Sequence, residues 1–172
     1  ARKEFYSCQD SFPDLEFHDI NASELSQKDL IGRVESLDQS SILLYILCSN
    51  DKDGNVYASA ESVQMLSSRA RIPVFSGIAI GMGQGLLGGK IVSHEKMGEI
   101  AGQMASKILD GGVCESMAVV QDSPMIYCFD ENVMKRFDIS RSMLPDNAKI
   151  INHKGTFMEQ YGKVIRVTSV IG

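Results

Sequence analysis

Short apolar runs bounded by polar residues or glycine recur along the chain and predict β-strands. The longest, residues 41–48, is apolar at nearly every position, which is typical of a central parallel strand buried on both faces. Residues 15–20 alternate apolar and polar side chains instead, and predict a half-exposed strand at a sheet edge. Four further runs predict the remaining strands: residues 74–76, 88–92, 125–129 and 148–152.

Apolar residues at helical spacing predict helices between these strands. The clearest helix covers residues 94–109, with Ser93 placed to cap its first turn and Gly111 placed to end it. An earlier helix is predicted after a cap at Asn21 or Ser23. Two more are predicted over residues 59–70 and 131–137.

The alternation of strands and helices with short connections predicts an α/β fold with a doubly wound, mostly parallel sheet and right-handed crossovers. We assign residues 1–152 to this α/β lobe and residues 153–172 to a tail. Both ends of the sequence look cut from a longer protein.

Composition narrows the class of function. The chain has 172 residues, of which 44% are apolar, and a net charge of −5. The negative charge and the lack of a run of Lys and Arg argue against binding to nucleic acid. No apolar stretch approaches the roughly 20 residues of a membrane span.

The four cysteines give no metal signature, because no CxxC pair and no histidine at ligand spacing accompanies them. Cys48 and Cys128 lie in apolar runs and are predicted to be buried. A disulfide between Cys8 and Cys114 in an oxidising compartment stays open, because spacing alone does not establish connectivity.

Small and polar residues follow two of the predicted strands, and parallel strands bring their carboxyl ends to one edge, where ligands bind. The loop at residues 51–55 is interpreted either as a tight turn or as a carboxylate facing an amine or hydroxyl of a ligand. Calcium is disfavoured there, because Ala60 stands where an EF-hand loop needs Glu. The carboxylate would be that of Asp51 or Asp53.

Motifs for catalysis or a cofactor do not fit the chain. Residues 83–88 match GxGxxG, but a strand follows instead of the helix that a dinucleotide site needs. Ser76 lacks a GxSxG elbow, and His18, His94 and His153 are scattered. We therefore predict no catalytic residue, no metal and no cofactor.

An ordered series of motifs resembles a known family, and the resemblance covers roughly residues 42–145. The motifs are PVFS at residues 73–76, GQGLLGGKIVS at 83–93, ILDG at 108–111, YCFD at 127–130, FDIS at 137–140 and LP at 144–145. Together they resemble the ABC-transporter substrate-binding-like sensor domain of bacterial sensor histidine kinases and related receptors. That family is similar to type I periplasmic binding proteins, whose two Rossmann-like lobes close on a small ligand.

The resemblance implies a Rossmann- or flavodoxin-like second lobe with its returning C-terminal segment, and a first lobe upstream of Ala1. The ligand would be an amino acid, purine, sugar or organic acid, bound in the cleft at the strand ends. The residues that the resemblance places there are Asp51, Asp53, Ser76, Gly83, Gln84 and Gly85. Residues 161–172 would approach a transmembrane helix, so the lobe would be extracytoplasmic and tethered through its parent. Residues 77–82 are all glycine or apolar, whereas many relatives have an aromatic or polar residue after this strand. This difference suggests that one wall of the ligand cleft is less polar here.

The leading interpretation is therefore a non-enzymatic sensing domain whose kinase or cyclase transmitter lies elsewhere in the parent. A homodimer in the parent receptor stays open. The alternatives are a lipid-anchored substrate-binding subunit of an ABC importer, a degenerate lobe that only mediates protein contacts, and an enzyme on a flavodoxin-like sheet.

Overall fold

Five strands form one sheet, and they lie side by side in the order in which they occur along the chain. The structure is a computed structural model that describes residues 2–154. The strands are β1 (Leu43–Tyr45), β2 (Val74–Ser76), β3 (Gly88–Val92), β4 (Met125–Asp130) and β5 (Lys149–Ile151). The helices are α1 (Arg2–Ser7), α2 (Gln27–Glu35), α3 (Ser59–Arg69), α4 (His94–Leu109) and α5 (Glu131–Arg136). Apart from its first two residues, the predicted tail lies outside the described residues.

The sheet is mostly parallel. Strand β1 pairs with β2 and β2 with β3 in parallel, β3 pairs with β4 antiparallel, and β4 pairs with β5 in parallel. Helices flank this sheet, so the predicted α/β class is confirmed, and the arrangement is compatible with a doubly wound Rossmann- or flavodoxin-like fold.

Two apolar clusters lie on opposite faces of the sheet. Neighbouring residues of a strand point to opposite faces, and Val74 belongs to the cluster beneath α2 and α3 while Phe75 packs against the cluster beside α5. Leu86 and Leu87 divide in the same way and are only 0% and 2% exposed. Both faces of the central sheet are therefore covered.

Several predicted elements are confirmed closely. Helix α4 has the predicted bounds, and the Ser93 side chain accepts a hydrogen bond from the Lys96 backbone N–H as its cap. Strands β2 and β3 also have the predicted bounds. The predicted helices at residues 59–70 and 131–137 and the strand at 125–129 each differ from the structure by one residue at one end, and the strand at 148–152 is one residue shorter at both ends.

The prediction of a central strand at residues 41–48 is wrong. Strand β1 covers three residues and lies at the edge of the sheet, where β2 is its only partner among the described strands. Leu43 and Tyr45 pack against the first cluster, but Ile42, Leu44 and Ile46 on the other face are exposed. A continuous apolar run thus has one covered face and one open face.

The predicted edge strand at residues 15–20 is also absent from the structure, because contacts with α1 hold this segment in irregular conformation. The Phe17 ring packs on Phe5, and Asp19 binds both Arg2 and the Tyr6 hydroxyl. The helix that follows is capped by Ser26, not by Asn21 or Ser23. Asn21 caps a separate turn of 3₁₀ helix instead.

Cys48 and Cys128 are buried, as the sequence predicts. Cys48 and Cys128 are each 4% exposed, and burial raises the pKa of both thiols. Cys8 and Cys114 are exposed, free thiols in the structure.

Helix α4 is long but poorly covered by the rest of the described chain. None of its 16 residues is buried, and its apolar stripe includes Met97 and Ile108, which remain 42% and 43% exposed. The amphipathic pattern that predicted the helix is present, but the apolar side has little to pack against.

A pair of glycine substitutions tests the β3–β4 junction. A β-carbon at Gly88 would overlap the Cys128 carbonyl oxygen, and the φ of +110° already disfavours a side chain. We expect Gly88→Ala to destabilise the fold by about 1–3 kcal/mol or more, measured by urea unfolding. Gly98→Ala is the matched control, because it enters open space on α4 and should stabilise by about 0.5–1 kcal/mol. Equal effects of the two substitutions would contradict this packing.

Candidate functional site

The structure separates the six candidate residues into two groups. One group lies where the parallel strands end, and the other lies at the opposite side of the sheet, where these strands begin. Asp51, Asp53 and Ser76 lie where the parallel strands β1 and β2 end. The loop of Gly83, Gln84 and Gly85 instead leads into the beginning of β3. The role of all six residues in binding stays a prediction.

Asp51 organises its own loop. Its side chain is buried, and Oδ1 accepts hydrogen bonds from the backbone N–H groups of Asp53 and Asn55, each at 2.9 Å. Its Oδ2 accepts from the Asn55 amide at 2.8 Å and from the Tyr57 hydroxyl at 2.6 Å. Four bonds use the acceptor capacity of a carboxylate, so Asp51 holds the loop instead of facing outward.

These hydrogen bonds change the pKa values of both Asp51 and Tyr57. The hydrogen bonds from the Asn55 and Tyr57 side chains lower the pKa of Asp51 from its ordinary 3.8 to about 2. The same carboxylate raises the pKa of Tyr57 to about 12, because a phenolate beside it would lose its hydrogen bond and be repelled. The loop is therefore held by a charge-assisted hydrogen bond across ordinary pH.

Asp53 occupies the outer side of the same loop and is exposed. Its backbone N–H is fixed by Asp51, but no described residue hydrogen-bonds its carboxylate. Of the two predicted acidic residues, Asp53 is thus the one with a carboxylate facing solvent.

Ser76 closes the turn after β2. Its buried hydroxyl donates to the Ile78 carbonyl at 3.1 Å and accepts from the Ile78 N–H at 3.2 Å. The hydroxyl thus has one remaining acceptor position. Ser76 fixes the path of the chain at the edge where β2 ends.

The glycine loop packs closely against its surroundings. Gly85 leaves no room for a β-carbon next to the Ser67 side chain, whose hydroxyl donates to the Gln84 carbonyl at 3.3 Å. Gln84 and Gly83 are exposed. A β-carbon at Gly83 would lie 3.7 Å from the Asn152 amide nitrogen, which places this loop beside the end of β5.

A second polar cluster, which the sequence did not reveal, surrounds Glu131 at this edge. The Glu131 side chain is 9% exposed, and its Oε2 accepts from Lys135 Nζ at 2.9 Å. Its Oε1 lies 2.7 Å from Arg141 Nη2 and 2.9 Å from His153 Nδ1. The hydrogen bonds from Lys135 and Arg141 are the main cause that lowers the pKa of Glu131 from 4.5 to about 2.

Asp130 and Asn152 extend this cluster. Asp130 is 1% exposed; its Oδ1 caps α5 by accepting from the Asn132 N–H, and its Oδ2 accepts from the Asn152 amide at 2.8 Å. Asn152 holds a φ of 56°, which non-glycine residues adopt rarely. The only local signal was the YCFDE sequence, in which an acidic pair ends a strand and begins a helix. Arg141 and His153 are too distant along the chain to form a local pattern with it.

Comparison with protein-family models, with curated proteins and with solved structures finds no match to this chain. Within the described residues, no helix is long and apolar enough to cross a membrane. Those residues also hold no cluster of three or more His, Cys, Asp or Glu side chains suited to a metal ion.

The two buried carboxylates predict how stability depends on pH. The pKa values of Asp51 and Glu131 are lowered to about 2, so each stabilises the fold above its ordinary pKa. That contribution is lost as the pH falls from about 5 towards 2. We expect the double variant Asp51→Asn, Glu131→Gln to unfold at a lower temperature at neutral pH. Its unfolding midpoint should also fall less steeply in acid, as measured by circular dichroism.

The surface variant Asp122→Asn is the control, because it removes one charge from an exposed loop residue. Its curve should run parallel to that of the unmodified chain. Parallel curves for the double variant as well would show that the two carboxylates do not carry the acid dependence.

Proposed function

We propose that this chain is a small-molecule sensing lobe from the extracytoplasmic part of a bacterial transmembrane signalling receptor, such as a sensor histidine kinase. Its ligand belongs to the amino acids, purines, sugars or organic acids. The proposal rests on the series of motifs that resembles substrate-binding-like sensor domains and on an α/β fold compatible with such a lobe.

The observation that carries the proposal is the loop held by Asp51. Its backbone and side-chain bonds fix the loop before any ligand arrives, while the Asp53 carboxylate remains exposed on the outer side of the loop. Preorganised loops bind with a smaller loss of conformational entropy. A carboxylate at this edge suits an amine or hydroxyl group on the ligand.

The state of the other acidic groups supports binding over catalysis. In the described part of the chain, the buried carboxylates of Asp51, Asp130 and Glu131 all accept hydrogen bonds from the fold itself. Groups engaged in this way hold their surroundings in place, whereas a general acid or base needs access to a substrate proton.

A second candidate function is a lobe that binds another protein and no small molecule. The exposed apolar stripe of α4 and the open face of β1 favour it, because large exposed apolar surfaces mark contact sites. An importer subunit would share the ligand-binding prediction, so the first experiment separates binding from protein contact.

The test is thermal unfolding of the chain with a panel of probes: the twenty amino acids, adenine, guanine, ribose, glucose, succinate and citrate. A ligand at ~100 times its dissociation constant stabilises by about 2.7 kcal/mol. For a domain of this size the midpoint should therefore rise by several degrees. We expect at least one probe to raise the midpoint in this way.

Asp53→Asn should abolish the stabilisation by that probe, because the substitution removes the charge and keeps the shape. Asp122→Asn is again the surface control and should leave the stabilisation intact. If no probe shifts the midpoint, the sensing proposal fails for these ligand classes and the protein-contact function becomes the better account. If Asp53→Asn and Asp122→Asn behave alike, the ligand binds elsewhere.

A further inference from the structure

The arrangement around His153 contains a conflict over one nitrogen atom. His153 Nδ1 lies 2.9 Å from Glu131 Oε1, which can only accept a hydrogen bond. The same Nδ1 lies 2.6 Å from Arg141 Nη2, which can only donate one. A ring nitrogen either carries a proton and donates, or lacks one and accepts, so it serves only one of these partners at a time.

We propose that His153 exchanges hydrogen-bond partners with its protonation state. The neutral ring accepts from Arg141 through Nδ1, and the protonated ring donates from Nδ1 to Glu131. The site is a proton-dependent contact between the end of β5 and the 3₁₀ turn Arg141–Met143 that carries Arg141.

The charges around the ring make the two arrangements unequal. Glu131 favours a positive ring, while Arg141 opposes it, and Lys135 opposes it from the other carboxylate oxygen. Asp130 is next to Glu131 and is engaged by Asn152, and the exposed Lys154 follows His153 directly.

Exposure allows the exchange to occur without unfolding. The His153 side chain is 31% exposed and that of Arg141 is 49% exposed, so both reach solvent protons and water. Glu131 is the fixed member, because it is 9% exposed and keeps Lys135 in either arrangement. When the ring is protonated, Arg141 loses its contact with His153 and retains only Glu131. The turn at residues 141–143 is then held less tightly to the end of β5.

The first test is the imidazole nitrogen spectrum of the 15N-labelled chain between pH 8 and pH 5. His153→Gln identifies the signals by removing them. At pH 8 we expect Nδ1 of His153 to lack a proton and Nε2 to carry one. At pH 5 both should carry protons, and the Arg141 guanidinium signals should shift with the same midpoint. A proton on Nδ1 at pH 8 would overturn the proposal, because the ring would then donate to Glu131 at every pH.

The second test measures the contact through stability. Arg141→Gln should lower the unfolding temperature more at pH 8 than at pH 5, because the contact with His153 exists only when the ring is neutral. In the His153→Gln background this pH dependence should vanish. His18→Gln is the matched control background, since His18 also lies beside a glutamate on the surface, 3.2 Å from Glu16. In that background the effect of Arg141→Gln should keep its pH dependence. An Arg141→Gln effect that is equal at both pH values would overturn the exchange.

Discussion

The path of the backbone at Leu87 is the constraint on which the sheet depends. The Leu87 N–H donates to the Val74 carbonyl at 2.8 Å, and the Leu87 carbonyl accepts from the Asp130 N–H at 2.9 Å. One residue thus ties β2 to β4 immediately before β3 begins. Because Leu86 and Leu87 point into different apolar clusters, the same dipeptide also joins the two faces. The glycine loop and the end of β4 are brought together by this short segment.

Local signals in the sequence were strong where a single element determines its own structure. The cap at Ser93 and the apolar spacing after it defined α4 without any knowledge of its neighbours. The run at residues 41–48 was ambiguous, because apolar content does not say how many partners a strand has. The segment at residues 15–20 had a strand pattern, but contacts of Phe17 and Asp19 with α1 replaced strand pairing. Tertiary partners decide these cases, and periodicity does not report them.

The candidate site shows the same division. An acidic, glycine-bearing loop after a strand predicted a polar edge, and the structure has one at Asp53. The sequence does not reveal that Asp51 bonds to Tyr57 and holds the loop, since that depends on the path of the chain between them. The cluster at Glu131 was beyond reach because its partners Arg141 and His153 are recruited from distant positions. The buried carboxylates of Asp51, Asp130 and Glu131 accept hydrogen bonds from the fold around them and so hold their surroundings in place.

The placement of the cysteines allows local unfolding of the domain to be followed by thiol labelling. Cys8 and Cys114 are exposed and accessible to a thiol reagent, whereas burial withholds Cys48 and Cys128 and keeps them protonated. Cys48 belongs to the cluster beneath α2 and α3, next to β1 and β2. Cys128 lies in β4, on the other side of the point where Leu87 joins β2 to β4. The rate at which each buried thiol is labelled therefore reports the opening of its own half of the sheet. Comparing the two rates distinguishes a domain that opens as one unit from a domain that opens in two steps.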